Sequence, residues 1–135
     1  MAVNIEAPES FIVDASFVLS YLLPDEKNEY VKEFFSDYQK RKVDFVSINL
    51  LPYEVINGLK SAIIQKRISI AKAKLLIKEL SKLDFVLEKI EEIEVLALSI
   101  SYKISVYDAS YLWLAKDKRL KLLSLDENLT SKTKR

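Results

Sequence analysis

Four acidic residues stand at the junctions between apolar segments of the chain. Asp14 and Asp126 each follow a short apolar run that suits a β-strand, and Glu54 and Asp108 each stand at the start of a helical apolar pattern. In an open parallel α/β sheet, strand ends and the following helix starts lie along one edge, so the four carboxylates could meet there. Carboxylates close together repel and raise one another's pKa, and a divalent cation relieves this conflict. The pattern therefore indicates a metal site with oxygen ligands, which Mg²⁺ and Mn²⁺ prefer.

The same acids also suit purely structural roles. Asp14 or the nearby Ser16 would cap a helix, Asp108 has the sequence context of an N-cap, and the other two acids suit a first helical turn or a cap. Asp44 and Asp84 stand among similar apolar neighbours, but they precede strands and are expected at the opposite edge of the sheet. The residue types and their spacing leave both interpretations open.

The composition excludes much catalytic chemistry. The 135 residues include no His and no Cys, which rules out an imidazole base, a Ser-His-Asp triad, a thiolate nucleophile, disulfides and an ordinary zinc site. Lys and Arg number 21 against 20 Asp and Glu, and the net charge of +1 neither favours nor opposes a polyanionic partner. Contacts with a nucleic acid would have to come from local basic clusters: Lys66 and Arg67, residues 116–121, and the C-terminal Lys132, Lys134 and Arg135.

The apolar pattern predicts strands that alternate with helices. The predicted strands cover residues 11–13, 43–48, 84–87 and 121–125, and the predicted helices cover 17–23, a segment from about 28, 53–66, 69–83, 91–104, 109–115 and a last short segment. Such alternation implies parallel crossovers and a three-layer α/β/α sandwich with a central, mainly parallel sheet of four to five strands. The length suits one domain over residues 1–135, with a lead-in over 1–10 and a polar basic tail over 130–135.

Three predicted helices carry apolar stripes that are expected to face the core. The stripes are Val55, Ile56, Leu59, Ala62 and Ile63; Ile70, Ala73, Leu76, Ile77 and Leu80; and Ile93, Leu96, Ala97 and Ile100. Residues 109–115 are almost wholly apolar and predict a buried helix. The N-terminus has no basic region followed by an apolar core, and residues 93–115 are interrupted by Lys103 and Asp108, so we expect a soluble cytoplasmic protein without membrane contact.

Four short motifs follow one another along the chain in a recognisable order. They are Ile-Val-Asp-Ala-Ser (12–16), Tyr-Glu-Val-Ile-Asn-Gly-Leu (53–59), Tyr-Asp-Ala-Ser-Tyr-Leu-Trp-Leu-Ala (107–115) and Leu-Ser-Leu-Asp-Glu-Asn-Leu (123–129). In this order and at these intervals the chain resembles the PIN-domain nucleases, and within them the VapC-type toxins of toxin-antitoxin systems. The resemblance spans residues 11–129, nearly the whole chain.

The resemblance implies a PIN-like fold and a metal-dependent endoribonuclease. Asp14, Glu54, Asp108 and Asp126 match the acidic quartet with which the family binds Mg²⁺ or Mn²⁺ and hydrolyses RNA. Three polar residues match supporting positions of the family pattern: Ser16, Asn57 and Ser124. The resemblance also implies a homodimer and inhibition by a cognate antitoxin.

Two departures from the family pattern concern its partners rather than its quartet. A final strand of many relatives is expected to be missing, and the glycine that often precedes the fourth strand is replaced by the lysine-rich residues 116–121. Both leave the dimer edge and the antitoxin contacts open.

The main competing hypothesis is a catalytically inactive PIN-like module that serves in binding or regulation. A receiver domain and an Asp-x-Asp phosphatase fit less well, because residues 85–87 run into Glu88 and Ser16 replaces the second aspartate.

Overall fold

The computed structural model describes residues 7–133. Within them lies one sheet built from β1 (Glu9–Val13), β2 (Val43–Ile48), β3 (Val86–Glu88) and β4 (Lys121–Leu123). All neighbouring strands are parallel, in the order β3-β2-β1-β4, because helical segments carry the chain back between them. The predicted three-layer fold class with a parallel sheet is therefore confirmed. Residues 1–6 of the predicted lead-in and 134–135 of the predicted tail lie outside the described part of the chain.

Seven helices within residues 7–133 surround this sheet: α1 (Ala15–Leu22), α2 (Glu29–Gln39), α3 (Leu51–Ile64), α4 (Ile70–Lys82), α5 (Glu92–Tyr102), α6 (Val106–Lys118) and α7 (Glu127–Lys132). Asn28 and Ser69 cap α2 and α4 with their side chains, and Pro52 lies in the first turn of α3, where its missing donor costs nothing. The longest helix, α3, has 14 residues, and no helix in the described range has the length and apolar character to span a bilayer.

Helix α6 begins earlier than predicted. Its N-cap is Ser105, whose Oγ accepts a hydrogen bond from the backbone N–H of Asp108 at 3.0 Å. The interpretation of Asp108 as the N-cap is therefore wrong, and its carboxylate lies in the first turn of the helix instead. At the end of the chain, α7 continues to Lys132, so the first part of the predicted polar tail is helical.

The central strand and α6 form the middle of the core. Residues 11–13 of β1 are at most 5% exposed, as expected for a strand covered on both faces. Helix α6 packs against β1, β2 and β4, and six of the seven residues 109–115 are buried, which confirms the predicted buried helix. An aromatic cluster joins α1 and α2 to β2, with the ring of Phe35 5.7 Å from Phe17 and 5.1 Å from Phe45.

The outer helices depart from the prediction. Seven residues of the predicted apolar stripes are exposed: Ile56, Ile70, Ile77, Ile93, Leu96, Ala97 and Ile100. The expectation that these residues face the core is wrong. The departure is largest in α5, which packs mainly against α6 rather than against the sheet and buries only Val95. One apolar face of α5 consequently remains uncovered, with Ile93 exposed to 79%.

Candidate active site

All four predicted site acids lie at the N-terminal ends of helices, and we call them the acid cluster: Asp14, Glu54, Asp108 and Asp126. Asp14 follows β1 and caps α1, and Asp126 follows β4 and caps α7. Glu54 and Asp108 lie in the first turns of α3 and α6. Because β1, β2 and β4 are parallel and adjacent, the helices α1, α3 and α7 that follow them begin along the same edge of the sheet.

The members of the acid cluster act on one another through their charges. Burial raises the pKa of Asp14, and the charge of Asp108 raises it further. Burial likewise raises the pKa of Glu54, and the charges of Asp108 and Asp14 add to the effect. Burial also raises the pKa of Asp108, and the charge of Asp126 adds to it. The fold therefore brings the four carboxylates within range of mutual repulsion.

The acid cluster is not a finished metal cage. Among residues 7–133, no group of three or more acids has an arrangement that could hold a metal ion as it stands. The four carboxylates share an electrostatic environment, but they do not converge on a common ligand position. Three of them also accept hydrogen bonds from the local backbone or a neighbouring side chain: Asp14, Glu54 and Asp126.

Asp14 is the most constrained of the four. Its Oδ1 accepts hydrogen bonds from the Oγ of Ser16 at 2.7 Å and from the backbone N–H of Phe17 at 3.0 Å. Its Oδ2 accepts from the Oγ of Ser124, which in turn accepts from the backbone N–H of Asp126 at 3.0 Å. The predicted supporting residues Ser16 and Ser124 thus hold the buried carboxylate and connect it to the turn that carries Asp126.

Glu54 has a partner that the sequence did not reveal. The hydroxyl of Tyr111 on α6 donates a hydrogen bond of 2.6 Å to Glu54 Oε1. Burial, then the hydrogen bond and charge of Glu54, raise the pKa of Tyr111 well above its usual range, so the hydroxyl stays protonated and donates. The sequence signal was a tyrosine inside an otherwise apolar buried helix, since a buried hydroxyl requires an acceptor.

The third supporting residue, Asn57, lies beside the acid cluster rather than within its hydrogen bonds. It is exposed on α3, one turn after Glu54. Together with Tyr53, Glu54 and Tyr107 it lines an open groove of about 370 Å³. Asn57 therefore borders the space that a bound molecule would occupy next to Glu54.

Asp44 and Asp84 lie away from the acid cluster. Asp44 is near the start of β2, Asp84 precedes β3, and both border a groove of about 700 Å³ that also includes Arg41 and Lys82. No member of the acid cluster lines that groove. The two aspartates therefore provide carboxylates at a different place in the fold, useful as controls.

The acid cluster is expected to destabilise the metal-free protein near neutral pH. The pKa values of Asp14, Glu54 and Asp108 are raised on folding, so the folded state binds their protons more tightly than the unfolded state. Their contribution to stability is therefore greatest below the ordinary carboxyl pKa of about 4 and is lost as the pH rises through the raised values. Calorimetry in a chelator should show a higher melting temperature for Asp108→Asn than for the wild type at neutral pH, with a smaller gap at acid pH.

The control for this pH experiment is Asp44→Asn, which removes an exposed carboxylate outside the acid cluster. It should follow the wild type at every pH. The groups that interact with Asp108 are the other three acids and the hydroxyl of Ser105, and none of them is changed by the control. A gap between Asp108→Asn and the wild type that does not depend on pH would contradict the predicted repulsion.

The four-stranded parallel sheet, with its acids at helix starts, defines the chain as a PIN-type α/β protein. Residues 11–134 match the family model of the PIN domain, and the chain belongs to this family. Ribonuclease VapC3 of Pyrobaculum aerophilum is 30% identical over 125 residues, which cover 90% of this chain and 92% of that protein. The predicted membership of the PIN-domain family and the likeness to VapC-type ribonucleases are therefore confirmed.

Two solved structures share the fold. The crystal structure of PAE2754 from Pyrobaculum aerophilum superposes with a TM-score of 0.74 at 26% identity, covering 95% of this chain and 81% of that chain. The crystal structure of Mycobacterium tuberculosis VapC20, a sarcin-ricin loop cleaving toxin, gives a TM-score of 0.66 at 12% identity and covers 90% and 94%. At that identity the VapC20 structure supports the common fold alone.

Proposed function

We propose that this chain is a metal-dependent endoribonuclease, the toxin of a toxin-antitoxin pair, which hydrolyses RNA phosphodiester bonds at the acid cluster. The observation that carries the proposal is that four carboxylates begin four different helices so near one another that neighbouring charges raise the pKa of Asp14, Glu54 and Asp108. A fold that needed only helix caps would gain nothing from placing these charges together, because each raises the cost of ionising its neighbours. The similarity to Ribonuclease VapC3 supports RNA as the substrate.

The donor atoms fit a hard divalent cation. All four are carboxylates, the ligand type that Mg²⁺ and Mn²⁺ prefer, and the chain has no His or Cys to favour a softer metal. Three donors from the described part of the chain reach Asp14, two on Oδ1 and one on Oδ2, so Oδ2 keeps a lone pair for a ligand. When bound, such a cation would stabilise negative charge on the phosphate and make a nearby water more acidic.

We propose a different role for each pair of acids in the site. Asp14 and Asp108 would bind the cation directly. Glu54, one oxygen of which is already fixed by Tyr111, would use its other oxygen to complete the site or orient a water. Asp126 would do the same from the start of α7, at a position set by its backbone hydrogen bond to Ser124.

One of the predicted RNA contacts does not suit this role. The guanidinium of Arg67 bonds to Asp25 at 2.8 and 3.0 Å and also to Glu26 at 2.5 Å. Arg67 therefore connects the segment after α1 with the segment after α3, and its charge is neutralised by two acids rather than offered to a phosphate. Lys134 and Arg135, which the sequence also suggests as contacts for the RNA backbone, lie outside the described residues.

The proposed protein is a single PIN domain over residues 1–135 that works in the cytoplasm. Its proposed partners are an RNA substrate, a second copy of the chain and a cognate antitoxin. The uncovered apolar face of α5, with Ile93, Leu96 and Ile100 exposed, supports at least one protein partner. Size-exclusion chromatography with light scattering, repeated with Ile100→Asp, tests whether this face holds a homodimer together.

The test of the proposed function is cleavage of a panel of structured RNAs with Mn²⁺ or Mg²⁺ and with a chelator. Cleavage should require the metal and should disappear in Asp108→Asn purified in the same way. Because Ser105 caps α6, the asparagine removes the charge of Asp108 without removing the cap. The comparison therefore separates a ligand from a structural residue.

The other outcomes have defined meanings. Equal cleavage by both proteins would mean that the activity comes from a contaminating nuclease or from a site that does not include Asp108. If neither protein cleaves and calorimetric titration detects no Mn²⁺ binding that depends on Asp14, the chain is the inactive PIN-like binding module. Mn²⁺ binding without cleavage would leave the metal site in place and direct the search to the RNA target.

A further inference from the structure

We propose that Tyr53 and Tyr107 form a base-stacking site that binds unpaired nucleotides of single-stranded RNA beside the acid cluster. The inference rests on the proposed function for the identity of the ligand, and it adds the part of the RNA that is recognised. It concerns binding to the ring faces, which can be measured without cleavage.

The two tyrosines share the groove described above. Tyr53 is 72% exposed and Tyr107 is 55% exposed, and both line the groove together with Glu54 and Asn57. Each tyrosine directly precedes a member of the acid cluster, Tyr53 before Glu54 and Tyr107 before Asp108. Of the acid cluster, Glu54 lines the groove together with both rings, so the two tyrosines lie beside an acid that would act on the phosphate.

Neither ring has a packing or hydrogen-bonding role among the described residues. Tyr21 and Tyr38, by contrast, stack on Phe35 and Phe45 with ring centroids 3.9 and 4.7 Å apart. Within residues 7–133, Tyr53 and Tyr107 stack on no other aromatic ring and donate no hydrogen bond to another residue. A single exposed tyrosine is ordinary, but two on one groove, each adjoining a site acid, form a surface suited to planar ligands.

The chemistry of the groove favours bases over phosphates. In the metal-free protein Glu54 repels the RNA backbone and no basic residue of the described range lines the groove, so attraction within the groove has to come from uncharged contacts. Aromatic rings stack on the faces of unpaired bases, and the Asn57 amide offers both a donor and an acceptor to a base edge. In a duplex the base faces are covered by their neighbours, so the site selects single-stranded RNA, loops or bulges.

The test is binding of a fluorescein-labelled single-stranded oligoadenylate in chelator at low salt, followed by fluorescence anisotropy. Tyr53→Ala and Tyr107→Ala should each weaken binding by about tenfold, while Tyr53→Phe and Tyr107→Phe should bind like the wild type, because the ring remains. An RNA with 2-aminopurine in place of one adenine should lose fluorescence on binding to the wild type and to the Phe variants but not to the Ala variants. A duplex of the same length should bind more weakly than the single strand.

Three results would contradict the proposed stacking site. If the wild type does not bind oligoadenylate, or the Ala variants bind as well as the wild type, no stacking site exists. If the Phe variants weaken binding as much as the Ala variants, the hydroxyls rather than the rings make the contact. Ring-dependent binding with neither metal-dependent cleavage nor Mn²⁺ binding that depends on Asp14 would support the stacking site and refute the proposed nuclease. Cleavage with ring-independent binding would support the nuclease and refute the stacking site.

Discussion

Asp14→Asn is expected to lower metal-dependent RNA cleavage by more than about a hundredfold while making the metal-free protein more stable. Asparagine is as good an N-cap as aspartate, so its Oδ1 can still accept from Ser16 and from the N–H of Phe17. Its Nδ2 replaces the Oδ2 that accepts from Ser124, and the Ser124 hydroxyl has to turn to accept from it. The variant loses the buried charge that Asp108 and Glu54 repel. Initial cleavage rates with Mn²⁺ and melting temperatures in chelator measure the two effects on the same preparation.

Opposite changes in activity and stability distinguish a functional charge from a structural one. Asp14→Ala removes the cap as well as the charge and should cost about 1 kcal/mol of helix stability relative to the asparagine variant. Asp44→Asn, at a carboxylate outside the acid cluster, should alter neither cleavage nor melting. Cleavage at the wild-type rate by folded Asp14→Asn would remove Asp14 from the proposed metal site. Addition of Mn²⁺ should raise the melting temperature of the wild type but not of Asp14→Asn.

The sequence posed capping and metal binding as alternatives for the acids, and the structure makes them compatible. Asp14 and Asp126 are N-caps and also members of the acid cluster. The reason is geometric: a helix that follows a parallel strand begins at the carboxyl edge of the sheet, so a capping acid on such a helix lies at that edge. Local sequence fixes the cap, and the parallel sheet order then brings the caps near one another.

The elements closest to the sheet were predictable because their burial follows from local pattern. Residues 11–13 are apolar on both faces, and residues 109–115 are apolar almost throughout, and both segments are buried. Such segments can only be stable when covered on all sides. Their positions therefore followed from composition without knowledge of their neighbours.

The outer helix α5 was not predictable in the same way. Its pattern shows an apolar stripe, but a stripe does not specify what covers it, and within the single chain α5 lies mainly against α6. Ile93 and Ile100 are consequently exposed to 79% and 70%. The stripe marks a face that requires cover, and the sequence does not say whether this chain or a partner supplies it.

The contact between Tyr111 and Glu54 could not be predicted from the sequence, because 57 residues separate them.

This contact leads to a second prediction with a large effect. Tyr111→Phe should reduce Mn²⁺ affinity and cleavage by about 10- to 100-fold, the usual cost of removing a residue that orients a metal ligand. The ring stays in place in the buried helix, and the hydroxyl that donates to Glu54 Oε1 and accepts from the backbone N–H of Ala15 is lost. Calorimetric Mn²⁺ titration and cleavage rates at several Mn²⁺ concentrations measure the effect.

The matched control is Tyr38→Phe, which removes a hydroxyl that donates to the backbone carbonyl of Leu83, away from the acid cluster. Both variants lose the hydrogen bonds of one tyrosine hydroxyl, and for Tyr111 the loss should lower the free energy of unfolding by about 1.5–3 kcal/mol because one partner is charged. If Tyr111 positions Glu54, high Mn²⁺ should restore much of the cleavage by Tyr111→Phe, while Tyr38→Phe should need no rescue. Reduced cleavage that merely tracks the unfolded fraction, with unchanged Mn²⁺ affinity, would show that Tyr111 stabilises the fold without positioning Glu54.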